Sequence, residues 1–178
     1  RDRLEAAWLE FISQGKTPSF QPRSFTLKAW MRCRNYGIDP RHPCPRIVGE
    51  AELKRRRMLN RQLIRAALPH LEKLSMHLAG TPHGIALSDA DAVILELLGS
   101  EDLLSQPGVR ESGGCVGADW SERLMGNNGV GTAISQRRPV IVAGFEHYVR
   151  AYHGWTCMGV PIHDPAGNVA GALDLVIP

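Results

Sequence analysis

The stretch TCMGVPIHDPAGNVAGALDLVI, residues 156–177, determines how the rest of the chain is interpreted. Two mainly apolar runs flank DPAGN, whose Asp, Pro, Gly and Asn residues favour a reverse turn. The pattern therefore predicts a β-hairpin. Because successive side chains on a strand point to opposite faces, Cys157, Gly159 and Pro161 share one face and the residues between them share the other. The pattern leaves open which face would meet a ligand.

A second hairpin is predicted upstream, where IALSDADAVILELLG (85–99) places a polar turn between two apolar runs. Between the two hairpins the sequence predicts two short helices, SERLMG (121–126) and GVGTAISQRR (129–138). A strand, PVIVAG (139–144), and a helix, EHYVRAYHG (146–154), follow them. This order lacks the regular alternation of a parallel sheet. It predicts an α+β fold with an antiparallel sheet of about five or six strands, flanked by helices.

The chain upstream of this sheet is predicted to be helical in two parts. Residues 1–49 contain two amphipathic helices and the proline-rich loop DPRHPCPR, and form an N-terminal helical region. Residues 50–82 carry a long apolar helical stripe from Leu59 to Leu78 that leads into the sensor-like part, 83–178. Pro69 interrupts the stripe and predicts a kink, or a break with Pro69 in the first turn of a new helix.

Composition favours a globular protein of the cytoplasm. Of the 178 residues, 43% are hydrophobic and 22% charged, and no apolar run approaches the roughly 18 residues of a membrane span. No signal-peptide pattern is present, and the absence of an initiator Met suggests a fragment of a longer protein. Four separated cysteines without a CxxC motif favour reduced thiols and neither a disulfide nor zinc.

The charges divide unevenly along the chain. Residues 1–82 carry 16 Lys and Arg against 7 Asp and Glu, whereas residues 83–178 carry 5 against 11. This difference suggests two segments with different roles. The basic run KRRR (54–57) surrounds a helix on all sides, which favours a solvated helical end and no direct contact with nucleic acid.

Three patterns resemble reaction or metal sites without completing one. GNNGVGTA (126–133) lacks the Lys-Ser/Thr of a phosphate-binding loop, so its glycines are interpreted as a turn that enters a helix close to a neighbour. His147, His153, Cys157 and His163 are potential metal ligands, but the first two are six residues apart and would face different sides of a helix. Cys157 lies in an apolar strand without a base or oxyanion arrangement, so no enzymatic activity is predicted.

Large aromatic side chains with polar tips suggest a pocket for a small molecule. Trp120, Tyr148, Tyr152 and Trp155 lie near His147 and Thr132 in the sequence. Apolar walls with a few directed polar groups suit a small ligand. The alternative, that these rings only fill the core, stays open at this point.

An ordered string of motifs identifies a family resemblance. It contains Gly131-Thr132-Ala133, Pro139-Val140, Glu146-His147-Tyr148, Trp155-Thr156-Cys157, Pro161-Ile162-His163-Asp164-Pro165 and Leu173-Asp174, and upstream LKAWMRCRNYGIDP (27–40). With these motifs the chain resembles the GAF domain, with its N-terminal helical region, of the acetoin-catabolism regulators among the bacterial sigma-54-dependent activators. Departures include Ala29 for Ser, GNN for GTN, and CMGV where the family has Cys-Ser-Ala-Ala.

The resemblance implies a cytoplasmic, small-molecule-sensing module of a transcriptional regulator. A downstream ATPase and DNA-binding domain would form the output, and the module would act as a homodimer that binds a small effector, with no cofactor. An alternative is a GAF-type input or dimerisation module of a histidine kinase or other signalling protein, without a ligand of its own. The residues and the resemblance together predict these ligand-binding residues: Trp120, Thr132, His147, Tyr148, Tyr152, Trp155, Cys157 and Asp174.

Overall fold

The computed structural model describes residues 2–178, and all its named strands lie after residue 83. The strands are β1 (Gly84–Asp89), β2 (Ile94–Gly99), β3 (Val140–Ala143), β4 (Thr156–His163) and β5 (Val169–Ile177). The helices are α1 (Asp2–Gln14), α2 (Ser24–Asn35), α3 (Glu50–Leu59), α4 (Arg61–His77), α5 (Glu101–Leu104), α6 (Pro107–Glu111), α7 (Glu122–Met125) and α8 (Gly129–Gln136). Single 3₁₀ turns cover Gly144–Glu146 and Arg150–Tyr152.

The five strands form one sheet in the order β2-β1-β5-β4-β3, and every neighbouring pair is antiparallel. Both predicted hairpins are present as β1–β2 and β4–β5. The α+β fold and its antiparallel sheet are thereby confirmed. In the β4–β5 pair, Cys157 lies opposite Val176 and Gly159 lies opposite Asp174, so all four side-chain positions are on one face.

The two faces of the sheet meet different helices. Ile85 and Leu87 of β1 pack beneath the fully buried Leu71 of α4. On the opposite face, Ala86 and Ala172 pack beneath Val130 of α8. Cys157 and Gly159 therefore lie on the α8 face of the sheet.

Helix α8 lies unusually close to the sheet because glycines form the contact. A side chain at Gly159 would overlap the carbonyl oxygen of Gly129, and a side chain at Gly129 would overlap the carboxyl group of Asp174. Asn128 caps the helix, and its Oδ1 accepts a hydrogen bond of 2.8 Å from the Gly131 amide. The interpretation of GNNGVGTA as a glycine-dependent helix entry is confirmed.

The N-terminal helices α1 and α2 pack against the segment that follows β3. Trp8, Phe11 and Trp30 form a buried cluster with Tyr148 and Val149. The polar edges of the two indoles are satisfied within this contact, because their N–H groups donate to backbone carbonyls of that segment. This cluster is separate from the two that cover the faces of the sheet.

The predicted break at Pro69 is wrong. The chain breaks at Asn60, between α3 and α4, and Pro69 lies inside α4. The Asn60 side chain donates to the Arg56 carbonyl at 2.9 Å and so satisfies an acceptor at the end of α3. Pro69 lies on the exposed side of α4, where water can hydrogen-bond a carbonyl that the ring leaves unpaired.

The single helix predicted over residues 146–154 is also wrong. Two 3₁₀ turns flank an extended backbone at His147, with φ −65° and ψ 136°. The Tyr148 amide donates to Oδ1 of Asn127 at 2.7 Å, and the Tyr148 carbonyl accepts from Nε1 of Trp8 at 2.9 Å. These tertiary hydrogen bonds replace the bonds that a helix would form.

The prediction of a solvated helical end is wrong for half of the basic run in α3, because Lys54 and Arg55 are exposed whereas Arg56 and Arg57 are paired. Arg56 contacts Asp89 at 2.6 Å and Asp91 at 3.0 Å, and Arg57 contacts Glu96 at 2.6 Å. These acids belong to the β1–β2 hairpin, so basic and acidic parts of the sequence meet in space. No helix within residues 2–178 is long and apolar enough to cross a membrane.

Candidate ligand-binding cavity

A cavity of about 70 Å³ lies on the α8 face of the sheet, beside α8. Four strands supply its floor, through Gly84, Leu97, Cys157 and Val176. The remaining lining comes from the short helices and loops: Leu103, Leu104, Val109, Ser112, Gly114, Trp120, Met125, Asn128, His147, Tyr152 and Trp155. None of the Lys, Arg, Asp or Glu side chains in residues 2–178 lines it.

Two aromatic side chains in the cavity wall form hydrogen bonds with the same turn, at residues 112–113. Nε1 of Trp120 donates to the Gly113 carbonyl at 2.7 Å, and the Tyr152 hydroxyl donates to the Ser112 carbonyl at 3.1 Å. Burial raises the pKa of Tyr152 above its ordinary range, so this hydroxyl stays protonated and able to donate. The polar tips of both rings are therefore occupied, and the ring surfaces provide apolar wall.

His147 brings a buried polar atom without a partner to the cavity lining. Its Nδ1 lies 3.1 Å from the Gly144 carbonyl, which can only accept, so the proton is on Nδ1. Its Nε2 is buried and has no hydrogen-bond partner. Burial lowers the pKa of His147 to about 4, so the ring is neutral near pH 7. Nε2 is therefore a free hydrogen-bond acceptor on a residue that lines the cavity.

Asp174 is a second buried polar group on this face, at the N-terminus of α8. Burial raises its pKa to about 8. The Cys157 thiol and the Met158 amide reduce this rise, yet neither oxygen completes a hydrogen bond of normal geometry. Burial, with a contribution from Asp174, raises the pKa of the Cys157 thiol well above its ordinary value. Near pH 7 both groups are mainly uncharged, and Cys157 is a poor nucleophile.

The cavity brings together five of the eight predicted site residues: Trp120, His147, Tyr152, Trp155 and Cys157. Three others lie outside its lining. The Thr132 hydroxyl donates to Glu122 at 2.7 Å inside the α7–α8 contact. Tyr148 belongs to the cluster beneath α1 and α2, and Asp174 lies under α8. Ligand binding by any of the eight stays a prediction.

The sequence interpretation missed the aliphatic side of the cavity. Leu103, Leu104 and Val109 come from α5 and α6, two helices of four and five residues that have no clear periodicity. Pro107 in the first turn of α6 is the signal that could have indicated a helix there. Asn128 was also missed, although an Asn directly before the helix predicted from Gly129 is an N-cap signal that could have indicated its position.

The residues considered as metal ligands do not form a cluster. Within residues 2–178 no group of three or more His, Cys, Asp or Glu side chains is arranged to hold a metal ion. His163 is exposed at the end of β4, and His153 Nε2 contacts the His147 carbonyl at 3.1 Å. The four cysteines have free thiols.

This antiparallel five-stranded sheet, covered by helices on both faces, defines a GAF-like α+β domain. A chain of the crystal structure of the E. coli DhaR(N)–DhaL complex has the same fold, with a TM-score of 0.81. It is 19% identical, and the match covers 86% of this chain and 52% of that one. The chain belongs to the family described as MimR, N-terminal domain, whose model matches residues 4–177.

Two relatives are transcriptional regulators by name. The chain is 34% identical over 152 residues to the signal-transduction and transcriptional-control protein of Clostridium beijerinckii, covering 83% of this chain and 23% of that protein. It is 30% identical over 172 residues to the acetoin dehydrogenase operon transcriptional activator AcoR of Bacillus subtilis (strain 168), covering 96% and 28%. The chain thus spans about a quarter of these relatives. At the family level it is a regulatory sensor domain of transcriptional activators.

Proposed function

We propose that the cavity binds a small, neutral, mainly apolar effector carrying a hydroxyl group, and that its occupancy controls the output of a transcriptional activator. The observation that carries this proposal is the buried, unpartnered Nε2 of His147, a residue that lines a mainly apolar cavity. A buried acceptor without a partner costs about 1–3 kcal/mol, which a donor on a ligand would recover. The output would be the ATPase and DNA-binding parts that the family resemblance implies.

The lining supports this class of ligand over charged ones. An ion in this cavity would lose its hydration without meeting an opposite charge, since no charged side chain lines the wall. A cavity of about 70 Å³ suits a molecule of a few heavy atoms and is too small for a nucleotide. Among neutral molecules, a hydroxyl supplies the donor that Nε2 needs, whereas an ether or an alkane does not.

A matched pair of probes tests the hydrogen bond. 1-Butanol and methyl propyl ether contain the same atoms, but only the alcohol can donate. Titration followed by NMR should show tighter binding of the alcohol, by about ten-fold, with shifts at His147 and Trp155. Equal affinities would contradict a role for Nε2, and shifts confined to other parts of the domain would place the site elsewhere.

A substitution that fills the cavity tests its location. A Cβ atom at Gly84 would meet only ordinary contacts, 3.8 Å from the Leu103 and Leu104 methyl groups. Gly84→Val should therefore fold and should abolish alcohol binding. Gly49→Val is the matched control, because a Cβ at Gly49 meets no atom within 4 Å and this glycine lies outside the cavity. Undiminished binding to Gly84→Val would exclude this cavity as the site.

Exposed apolar side chains favour a second candidate function, dimerisation without a ligand. Met58 and Leu59 at the end of α3 are 62% and 68% exposed, and Met76 near the end of α4 is 69% exposed. Single exposed apolar residues are common, but these three lie on the two helices that precede the sheet. Sedimentation of the wild type and of Met58→Lys would decide this. A dimer that Met58→Lys dissociates, in a protein that binds no small molecule, supports the alternative.

A further inference from the structure

The N-terminal helices contact the residues on either side of His147 in the sequence. His147 lines the cavity. Glu146 and Tyr148 point instead into the contact with α1 and α2.

Glu146 is fixed by four hydrogen bonds to helix α2 and its N-terminal flank. Its carboxylate accepts from Nε of Arg23 at 2.7 Å and from the Thr26 hydroxyl at 2.9 Å, and it also meets the second Arg23 nitrogen. Its backbone carbonyl accepts from Nε1 of Trp30 at 2.8 Å. Residue 146 is therefore bound to the N-terminal region through both its side chain and its main chain.

Helix α1 holds the other side of His147. Nε1 of Trp8 donates to the Tyr148 carbonyl at 2.9 Å, and the Trp8 ring meets the His153 ring edge-on at 4.7 Å. Nε2 of His153 in turn contacts the His147 carbonyl at 3.1 Å. Asn127 also holds this segment. Its Nδ2 donates to the Glu146 carbonyl at 2.8 Å, and its Oδ1 accepts from the Tyr148 amide at 2.7 Å.

We propose that the N-terminal helices α1 and α2 are energetically coupled to the cavity through residues 146–148, and that the docking of these helices reports whether the cavity is occupied. The inference rests on the proposed function for the identity of the site, and it adds how occupancy of the site is transmitted to the N-terminal helices. A ligand on His147 restrains the same three-residue segment that Trp8, Trp30 and Arg23 hold. Coupling of this kind is reciprocal. Undocking the helices must therefore lower the affinity for the ligand by the same factor by which the ligand stabilises their docking.

The first measurement follows hydrogen exchange of the Trp8 and Trp30 indole N–H groups by NMR, with and without 1-butanol. Both groups donate in the coupled contact, so saturation with the alcohol should slow their exchange about three-fold or more. The backbone amide of Leu87, in the buried strand β1, reports global unfolding. Indoles that exchange faster than Leu87 without the alcohol do so by local opening of the contact, and a three-fold slowing of that exchange supports the proposal, whereas unchanged exchange counts against it.

The second measurement tests the coupling in the opposite direction, from the N-terminal helices to the cavity. Trp8→Phe keeps an aromatic ring in the cluster but removes the hydrogen bond to the Tyr148 carbonyl, and it should weaken 1-butanol binding about three-fold or more. Arg57→Ala, on the hairpin contact of α3, is the control and should leave the affinity unchanged. Binding that is insensitive to Trp8→Phe, with unchanged indole exchange, would overturn the coupling and leave the ligand proposal intact.

Failure of the proposed function is distinguishable from failure of the coupling. If no probe binds, Gly84→Val supplies permanent occupancy, because its added methyl groups enter the cavity. Slower indole exchange in Gly84→Val than in Gly49→Val would then support the coupling alone. Equal exchange in these two variants would reject it.

Discussion

The two faces of the sheet use opposite chemistry. On the α4 face, Leu71, Ile85 and Leu87 are fully buried among other aliphatic side chains. On the α8 face, the buried groups include His147 and Asp174, each with atoms that lack a hydrogen-bond partner. Unpaired buried polar groups cost stability, whereas well-packed aliphatic ones contribute it. The comparison indicates that the α4 face contributes mainly to stability and that the α8 face carries the candidate site as well as part of the core.

The largest expected effect is on the aliphatic face. Leu71→Ala should lower the free energy of unfolding by about 3 kcal/mol, because it leaves a void beneath α4. Denaturant unfolding measures this change, with the exposed Met76→Ala as the control. The affinity for 1-butanol should not change at temperatures where the variant is folded. A large loss of affinity would show that the two faces are not separable.

The next effect is a pH dependence that originates at Asp174. Its pKa rises from 3.8 to about 8 on folding, so its contribution to stability is complete below pH 3.8 and is lost as pH rises through 8. His147 acts in the opposite direction between about pH 4 and 6.5, because its pKa falls on folding. The pH range in which the contribution of Asp174 is not opposed by that of His147 is therefore 6.5–8.

Within that window the wild type should lose up to about 1.4 kcal/mol per pH unit from Asp174. Asp174→Asn removes the titration and should flatten this slope. Urea unfolding at closely spaced pH values measures it, and Asp164→Asn, at the exposed β4–β5 turn, serves as the control. An unchanged slope in Asp174→Asn would mean that the carboxyl is already ionised in the folded protein.

A smaller effect is expected on the affinity of the site. Trp155→Ala removes an aromatic wall of the cavity and should weaken 1-butanol by about 1–2 kcal/mol, the transfer free energy of part of a buried ring. Arg150→Ala, at an exposed position on the adjacent turn, should bind normally. If Trp155→Ala, His147→Ala and Tyr152→Phe all retain the wild-type dissociation constant, the ligand binds elsewhere.

The smallest expected effect is zero turnover. Cys157 has a raised pKa, the Asp174 carboxyl beside it is mainly protonated near pH 7, and His147 uses Nδ1 on a backbone carbonyl, so no active nucleophile–base pair is formed. Generic ester, phosphate and nucleotide substrates should not be consumed. Turnover that disappears in both Cys157→Ala and His147→Ala would contradict this prediction.

Sequence reasoning succeeded where local pattern and tertiary structure agree. The β4–β5 hairpin follows from alternation around an Asp-Pro-x-Gly turn, and the glycines of residues 126–131 follow from a close approach. It failed where distant groups decide the backbone. Residues 147–149 are not helical because Asn127 and Trp8 supply partners from 21 and 140 positions away. Tyr148 consequently turns away from the cavity, which no periodicity in its own segment indicates.

The arginines of α3 have a consequence for exchanging sensor domains between regulators. Arg56 and Arg57 neutralise acids of the β1–β2 hairpin, and α4 covers the aliphatic side of the sheet. A graft that began at residue 83 would leave those acids uncompensated and that side of the sheet bare. A graft of the sheet should therefore include residues 50–82, and its junction should lie upstream of Glu50.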